Sequence, residues 1–344
     1  MPRSKRVTIT EIARLCGVSA QTVSRVINHR PDVAPETRDA VEKAIANAGY
    51  QPSALARGLV RQRSQMLGVV VGGLRHFGVS QILNGIAEES QDAGYGLLLR
   101  EIVDVHEPDL APVIDQLVAH QVEGIIIAAP PTDWTVDLAS QLPRHCPITV
   151  FLKREPSPGH TTIGIDNHLG AVTAVEHLLA LGRRRIAHIS GPHPWLEARL
   201  RRVGWEDTVR RAGLPDDLVT EGNWSSGSGN AAFAELLERH GPVDAVFVAN
   251  DQMALGVMRA AAERGIRIPE DLAVIGFDDV PDADQFTPSL TTVAQPLAAI
   301  GRSSVQRLLL EISGEEGAVP GADIVMPTQL VLRESAPALP TSVR

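Results

Sequence analysis

The residues with the clearest chemistry lie near the N-terminus, in the stretch TITEIARLCGVSAQTVSRVINHR at positions 8–30. Its polar side chains suit hydrogen bonding to base edges in the major groove of DNA, where glutamine pairs with adenine and arginine with guanine in a bidentate manner. The candidate DNA-contacting residues of this stretch are Thr8, Ser19, Ala20, Gln21, Thr22, Ser24, Arg25 and Asn28. The alternative is a surface helical hairpin, but a solvated helix face rarely combines a small alanine with glutamine and arginine.

These side chains need two helices in a fixed arrangement, and the spacing of apolar residues predicts such a pair. Thr8 or Thr10 caps a first helix, which ends at Gly17, and Ser19 caps a second. The residues expected to face inward are Ile9, Ile12, Ala13 and Leu15 in the first helix and Val23, Val26 and Ile27 in the second. Helices separated by two residues must cross steeply, as in a helix-turn-helix. A third helix is predicted over 35–49.

The charge of the chain is divided unevenly between its two parts. The net charge is −9, but residues 1–66 hold 11 Lys/Arg against 5 Asp/Glu, a balance of +6, and the remainder holds 21 against 36, a balance of −15. A basic segment on an acidic body is typical of a protein that meets phosphate at one end. A length of 344 residues favours two or three domains.

Composition excludes several other classes. No apolar run is long enough to cross a membrane, and the start MPRSKR lacks the apolar segment of a signal peptide, so we expect a cytoplasmic protein without a membrane partner. Cys16 and Cys146 lie too far apart for a CxxC site, and the 11 histidines show no metal-binding spacing, so no cofactor or metal is expected. Gly227–Gly229 lacks the rest of a phosphate loop, and no catalytic triad accompanies Asp278 and Asp279.

From residue 67 onward, apolar runs rich in β-branched residues alternate with helical segments. The predicted strands are LGVVV (67–71), YGLLL (95–99), GIIIAA (124–129), ITVFL (148–152), RIAHIS (185–190), DAVFVA (244–249) and LAVIGF (272–277). Uninterrupted apolar strands separated by helices indicate parallel sheets covered on both faces. Seven of them predict an α/β core of two doubly wound parallel-sheet lobes, like the periplasmic sugar-binding proteins, behind a small all-α helix-turn-helix head.

The stretch at 8–30 resembles the head of the lac repressor family of bacterial regulators, also called LacI/GalR-type, and the resemblance continues through most of the chain. AGYQPSALARGL at 48–59 resembles the hinge that joins head to core in that family. The resemblance implies that Leu59 wedges into the minor groove of operator DNA, as apolar wedges that kink DNA do. The alternative for Leu59 is an ordinary linker residue.

In the core, the stretches that carry the resemblance are ARLRRVGW (198–205), EGNWS (221–225), VANDQMALG (248–256), GFDD (276–279) and TTVAQP (291–296). The resemblance implies an effector cleft lined by Leu74, Trp195, Arg199, Trp224, Asn250, Asp278 and Gln295. Such residues suit a sugar, whose hydroxyls need partners of both polarities and whose apolar ring face stacks on an aromatic.

Some positions of this cleft have alternatives or depart from the family pattern. Trp224 has core packing as its alternative role. Arg199 has a solvated helix face as its alternative, the position expected for Arg201 and its neighbour in the same basic run. Lys153 and Ala128 stand where the family pattern has an acidic residue and an asparagine, which leaves the sugar's identity open.

The predicted organisation is a helix-turn-helix domain at 1–50, a hinge helix and linker at 51–66, and a two-lobed core at 67–344. One lobe takes about 67–164 with 295–325, and the other about 165–294 with 326–338. Because the Pro-rich tail shows no leucine heptads, we expect a homodimer rather than a tetramer.

The predicted function is a sequence-specific repressor that a sugar inducer, possibly a galactoside, releases from a pseudo-palindromic operator. A solute receptor for a sugar transporter and an α/β enzyme are the rival classes. A corepressor and a phosphorylated effector both remain open.

Overall fold

The computed structural model describes residues 7–27, 30–50, 64–102, 110–128, 142, 148–152, 159–314 and 321–338. The chain divides into two compact units, Met1–Gln65 and Met66–Arg344. Among the described residues, no helix is both long and apolar enough to cross a membrane.

The N-terminal unit contains three helices in its described part: α1 (Ile9–Cys16), α2 (Ala20–Ile27) and α3 (Pro35–Ala48). A capping box starts α1, in which the Thr8 hydroxyl accepts from the Glu11 amide while the Glu11 carboxylate accepts from the Thr8 amide. The helix ends at Gly17, whose φ of 65° lies in the left-handed region that favours glycine. The Ser19 hydroxyl then caps α2 by accepting from the Thr22 amide at 3.0 Å. The predicted helix-turn-helix is therefore confirmed, with Thr8 rather than Thr10 as the first cap.

Apolar side chains from all three helices form the core of this unit. Its most deeply buried members, none more than 1% exposed, are Ile12, Val23, Val26 and Val41. Leu15 differs from the prediction, because 63% of its surface is exposed. It lies three positions after Ile12, but the steep crossing of two short helices buries only a narrow stripe of α1.

The larger unit contains two lobes, each built on one sheet. The first part of the chain forms β1 (Met66–Gly72), α4 (Phe77–Asp92), β2 (Gly96–Ile102), α5 (Leu110–Ala119), β3 (Gly124–Ala128), β4 (Ile148–Phe151) and β5 (Thr161–Ile165). The middle part forms α6 (Asn167–Ala180), β6 (Ile186–Ser190), α7 (Leu196–Arg211), β7 (Val219–Glu221), α8 (Ser226–His240), β8 (Ala245–Val248), α9 (Asp251–Glu263), β9 (Ala273–Asp278) and β10 (Thr291–Ala294). The last part forms α10 (Leu297–Ser313), β11 (Asp323–Met326) and β12 (Gln329–Val331).

The N-lobe sheet has the order β11-β5-β4-β3-β1-β2, and its recorded strand pairs are parallel. The C-lobe sheet has the order β12-β10-β9-β8-β6-β7, and it is parallel except for β12, which runs antiparallel to β10. The chain therefore crosses between the lobes three times, after β5, after β10 and between β11 and β12. All seven predicted strands are present, so the predicted doubly wound architecture is confirmed.

Candidate DNA-reading surface and effector cavity

The second helix of the N-terminal unit carries a polar face opposite its buried one. Ala20, Gln21 and Arg25 are exposed, and Thr22 and Ser24 are half-buried. The inward residues of α2 anchor this face to the other two helices. A short helix held in this way presents its side chains at fixed spacing, as reading of base edges requires.

The other predicted DNA-contacting residues have distinct positions. Thr8 and Ser19 cap the two helices, so their hydroxyls already bond to backbone amides. The Arg25 guanidinium lies 3.5 Å from the Asp32 carboxylate, and both side chains are about half exposed. Such an exposed pair contributes little stability, so Arg25 is available to exchange Asp32 for a nucleic-acid partner. Asn28 and Leu59 lie outside the described residues.

A cavity of about 140 Å³ lies between the two lobes of the larger unit. The C-lobe supplies its polar side from the start of α7 and from the carboxyl ends of β8 and β9. In open parallel sheets these ends form the crevice in which ligands bind. The N-lobe supplies an apolar wall that includes Val79, Ile82, Ala128, Ile163, Leu297 and Ile300.

Arg201 is the centre of the polar side. Its side chain is only 5% exposed, its Nε donates to Asn167 Oδ1 at 2.8 Å, and its Nη1 donates to the Ala249 carbonyl oxygen. The same Nη1 lies 3.6 Å from Asp278 Oδ1, and the guanidinium carbon lies 3.8 Å from the centre of the Phe277 ring. A buried guanidinium held by several partners is rigid, so it presents its remaining donors to the cavity in a fixed direction.

Two amide side chains complete this cluster. Gln295 Nε2 donates to Asp278 Oδ1. Asn250 caps α9, since its Oδ1 accepts from the Met253 amide at 3.0 Å while its Nδ2 donates to the Trp224 carbonyl oxygen at 3.1 Å. The cluster therefore offers both donors and acceptors to a ligand in the cavity.

Burial dominates the electrostatics of this cluster. It raises the pKa of Asp278 to about 6, although Arg201 and the hydrogen bond from Gln295 oppose that shift. Burial also lowers the pKa of Arg201, although an arginine side chain still stays charged. Behind them, burial and the neighbouring Asp278 raise the pKa of the fully buried Asp251 to about 8. Its carboxylate oxygens accept from the Thr292 hydroxyl at 2.6 Å and the Val280 amide at 2.9 Å.

Three aromatic side chains line the cavity in a row. The rings of Trp195 and Trp224 meet edge to face with centroids 5.6 Å apart, and His76 meets Trp195 in the same way at 4.9 Å. Trp224 packs against Gly191, where a side chain would collide with the indole ring. Within the described part of the chain, the Trp224 Nε1 proton is buried without an acceptor.

The predicted effector-binding residues separate into two groups. Five of them line the cavity: Trp195, Trp224, Asn250, Asp278 and Gln295. Leu74 and Arg199 lie outside its described lining. Leu74 packs on the N-lobe core, and Arg199 Nη1 donates to the carbonyl oxygens of His193 and Pro194 at 3.2 and 3.0 Å. Of the two positions that depart from the family pattern, Ala128 lines the cavity and Lys153 lies outside the described residues.

The expectation that Arg201 is a solvated helix-face residue is wrong. Helical periodicity contains the signal that identifies it, because Arg201 lies three residues after Ala198 and four before Trp205, both fully buried. Arg199 is out of phase with that face. His76 and Asn167, which also line the cavity, had no comparable signal, since each enters it from a loop or a helix start.

Comparisons with known proteins agree with this geometry. A model of bacterial regulatory proteins of the lacI family matches residues 8–53, and a model of the periplasmic binding protein-like domain matches residues 175–336. The chain is 34% identical to the lactose operon repressor of Escherichia coli (strain K12) over 331 residues, which covers 96% of this chain and 91% of the repressor.

Two solved structures extend the match to three dimensions. A lac repressor dimer bound to operator and the anti-inducer ONPF superposes with a TM-score of 0.88 at 34% identity, covering 97% of this chain and all of that one. A complex of the transcriptional regulator CelR with cellobiose superposes with a TM-score of 0.70 at 32% identity, covering 96% and 100%. The chain therefore belongs to the lacI family of bacterial regulatory proteins, which are ligand-responsive DNA-binding regulators.

Proposed function

We propose that this chain is a transcriptional repressor that binds a specific operator through α2 and leaves it when an uncharged sugar occupies the cavity between its lobes. The observation that carries the sugar assignment is the buried Arg201–Asp278 pair, with the half-buried Gln295 bonded to it, beside the Trp224 ring. Sugar hydroxyls both donate and accept, and a sugar ring has an apolar face, so a site of this composition suits them together. Lactose and cellobiose appear in the names of two relatives, which supports the same ligand class.

The charge of the lining favours an uncharged effector over a phosphorylated one. Among the described lining residues, the permanent cation is Arg201, and it already faces Asp278 and Glu197. A sugar phosphate would add about two negative charges next to these carboxylates. These described lining residues include no second permanent cation, so desolvating that charge beside them is unfavourable.

For DNA recognition, we assign base reading to Gln21 and Arg25 and backbone or groove contacts to the remaining predicted residues of the head. Leu59 is assigned the minor-groove wedge on the strength of the family resemblance. A homodimer would place two heads in successive major grooves, roughly 34 Å apart, on a pseudo-palindromic operator. The related lac repressor is a dimer in its structure on operator.

The position of the effector between the two lobes explains how it would release the repressor from its operator. A ligand held between two lobes has different contacts when their relative angle changes, and it therefore shifts the population between two lobe arrangements. A change of lobe angle that alters the spacing of paired hinges would lower operator affinity, because small shifts at an interface are amplified by bistable elements.

A gel-shift experiment tests this function and its rivals together. The full chain is incubated with DNA from upstream of its own gene, with and without a panel of sugars that includes galactosides. A repressor retards one fragment at salt concentrations that suppress non-specific binding, and one sugar releases it. A solute receptor would bind the sugar without retarding DNA, and an enzyme would consume it.

A further inference from the structure

The cavity contains a contact between the lobes that the proposed function does not use. His76 belongs to the N-lobe, at the turn between β1 and α4, and Trp195 belongs to the C-lobe, immediately before α7. Their rings meet edge to face at 4.9 Å with an interplanar angle of 79°, and both side chains line the cavity. Together they form a wall that joins the two lobes across one side of the cavity.

Each half of this wall is held in place by its own lobe. The His76 amide donates to the Gly73 carbonyl oxygen at 2.9 Å. A Cβ at Gly73, whose φ is 69°, would lie 2.8 Å from the His76 ring and 3.5 Å from the Trp195 ring, so the turn packs closely against both. On the other side, the Trp195 amide donates to the Pro192 carbonyl oxygen at 3.0 Å, and Arg199 bonds twice to the same turn.

The effect of this wall on ligand binding depends on the other residues that line the cavity. The hydroxyl-binding groups cluster around Asp278, on the C-lobe side, where they suit the hydroxyls of one sugar ring. The described residues of the opposite side are mostly aliphatic, with Ile82, Leu297 and Ile300 among them, and these three provide no partners for a second set of hydroxyls. A second ring would therefore bury unpaired hydroxyls or collide with the wall.

We propose that His76 and Trp195 determine the specificity of this regulator by limiting its effector to a single sugar ring with at most a small substituent. This inference rests on the proposed function, since it names the size of the sugar that the cavity takes. It distinguishes this chain from the relative crystallised with cellobiose, which is a disaccharide. Exclusion by a fixed clash is a common source of specificity between related ligands.

The contact itself is tested without any ligand, by acrylamide quenching of tryptophan fluorescence. His76→Ala should raise the quenching constant in the wild-type background, because it uncovers one face of Trp195. In a Trp195→Phe background the same substitution should change nothing. An equal constant before and after His76→Ala in the wild-type background would show that the rings do not meet, and would overturn the proposal.

The size limit is tested by isothermal titration with two matched pairs, D-galactose with lactose and D-glucose with cellobiose. The wild type should bind the monosaccharide of one pair at least tenfold more tightly than its disaccharide. His76→Ala and Trp195→Ala should each shrink that ratio at least tenfold by admitting the disaccharide. His193→Ala is the matched control, because His193 is exposed in the same turn and lies outside the described lining.

Two results would overturn the size limit. One is a wild type that binds a disaccharide as tightly as its monosaccharide, and the other is a pair of folded ring variants that keep the wild-type ratio. If neither the wild type nor the variants bind any of the four sugars, the sugar assignment of the proposed function fails and the limit fails with it. The quenching result then still decides whether the two rings meet, so the two failures are distinguishable.

Discussion

Replacing Arg201 by methionine, which keeps the length of the side chain and removes its charge, is the sharpest test of the cavity. The substitution removes the donors to Asn167 and Ala249 and leaves Asp278 buried without its cation. Breaking a buried pair typically costs about 3–5 kcal/mol of the free energy of unfolding. Asp278 reduces that cost by taking a proton, because its pKa is already raised to about 6 and the loss of Arg201 raises it further. We therefore expect Arg201→Met to lower the free energy of unfolding by about 3 kcal/mol, the lower end of that range.

The same change should weaken sugar binding more than it weakens operator binding. Each charge-assisted hydrogen bond to a ligand typically contributes about 1.5–3 kcal/mol, so the dissociation constant of the sugar should rise at least tenfold. Operator affinity should survive, because the ligand-free protein already binds DNA and the sugar acts only through its different affinity for two states. Titration calorimetry with the releasing sugar and a gel shift on the operator measure the two effects separately.

Matched variants separate the role of Arg201 from general damage. Arg202→Ala removes a charge from the same helix, where it pairs with Glu206 on the half-exposed side, and it should leave both sugar and operator binding unchanged. The double variant Arg201→Met, Asp278→Asn should recover stability without recovering sugar affinity. If Arg199→Ala abolished sugar binding while Arg201→Met left it intact, the assignment of Arg201 to the cavity would be refuted.

Three further predictions concern the head and the buried carboxylate. Gln21→Ala and Arg25→Ala should each reduce discrimination between operator and non-operator DNA by about 1–3 kcal/mol. Arg6→Ala should instead weaken binding to all DNA sequences equally and flatten the dependence of affinity on salt. A folded Gln21→Ala variant that keeps its operator preference would contradict the assignment of α2 as the recognition helix. Thr8→Ala should lower the unfolding free energy of the head by about 1 kcal/mol in denaturant titrations, while an unchanged midpoint would show that the capping box contributes nothing. Burial raises the pKa of Asp251 to about 8, above its ordinary value in the unfolded chain, so the folded protein holds this proton more tightly than the unfolded chain does. The free energy of unfolding should therefore fall as pH rises from about 4 to 8. Asp251→Asn should flatten that fall between pH 6 and 8 in denaturant titrations.

Local patterns were sufficient to predict most of the fold. The strands around Val69, Ile126, Val246 and Val274 are uninterrupted apolar runs, and a strand covered on both faces needs that composition. Five strands were missed. Two of them, β5 (TTIGI) and β10 (TTVA), mix threonine with apolar residues. The other three are the short edge strands β7, β11 and β12, which have three or four residues each. Such segments become strands through their neighbours in the sheet, which a local pattern does not contain.

The residues that line the cavity were harder to predict from the sequence than the strands, for two different reasons. The burial of Arg201 was missed because its position on the helix was not counted from Trp205, which is buried and lies four residues further on the same face. No local pattern could predict the roles of His76 and Asn167, because their partners Trp195 and Arg201 lie more than 30 positions away in the sequence. The first contact depends on how the two lobes pack, and the second on how α6 packs against α7 within one lobe, so neither leaves a periodic trace in its own segment.

Backbone strain connects these observations to function. Among the described residues, five non-glycine residues have φ in the left-handed region, and two of them, Trp224 with φ of 72° and Asp278 with φ of 115°, line the cavity. Asp279, which follows, has φ of 53° and pairs with Arg333 at 2.7 Å. Such conformations cost on the order of 1–3 kcal/mol each and persist only where the surroundings enforce them. At Trp224 and Asp278 they place an indole and a carboxylate of one lobe beside the same cavity, so two of the five residues that violate local preferences are ones that a ligand between the lobes would touch.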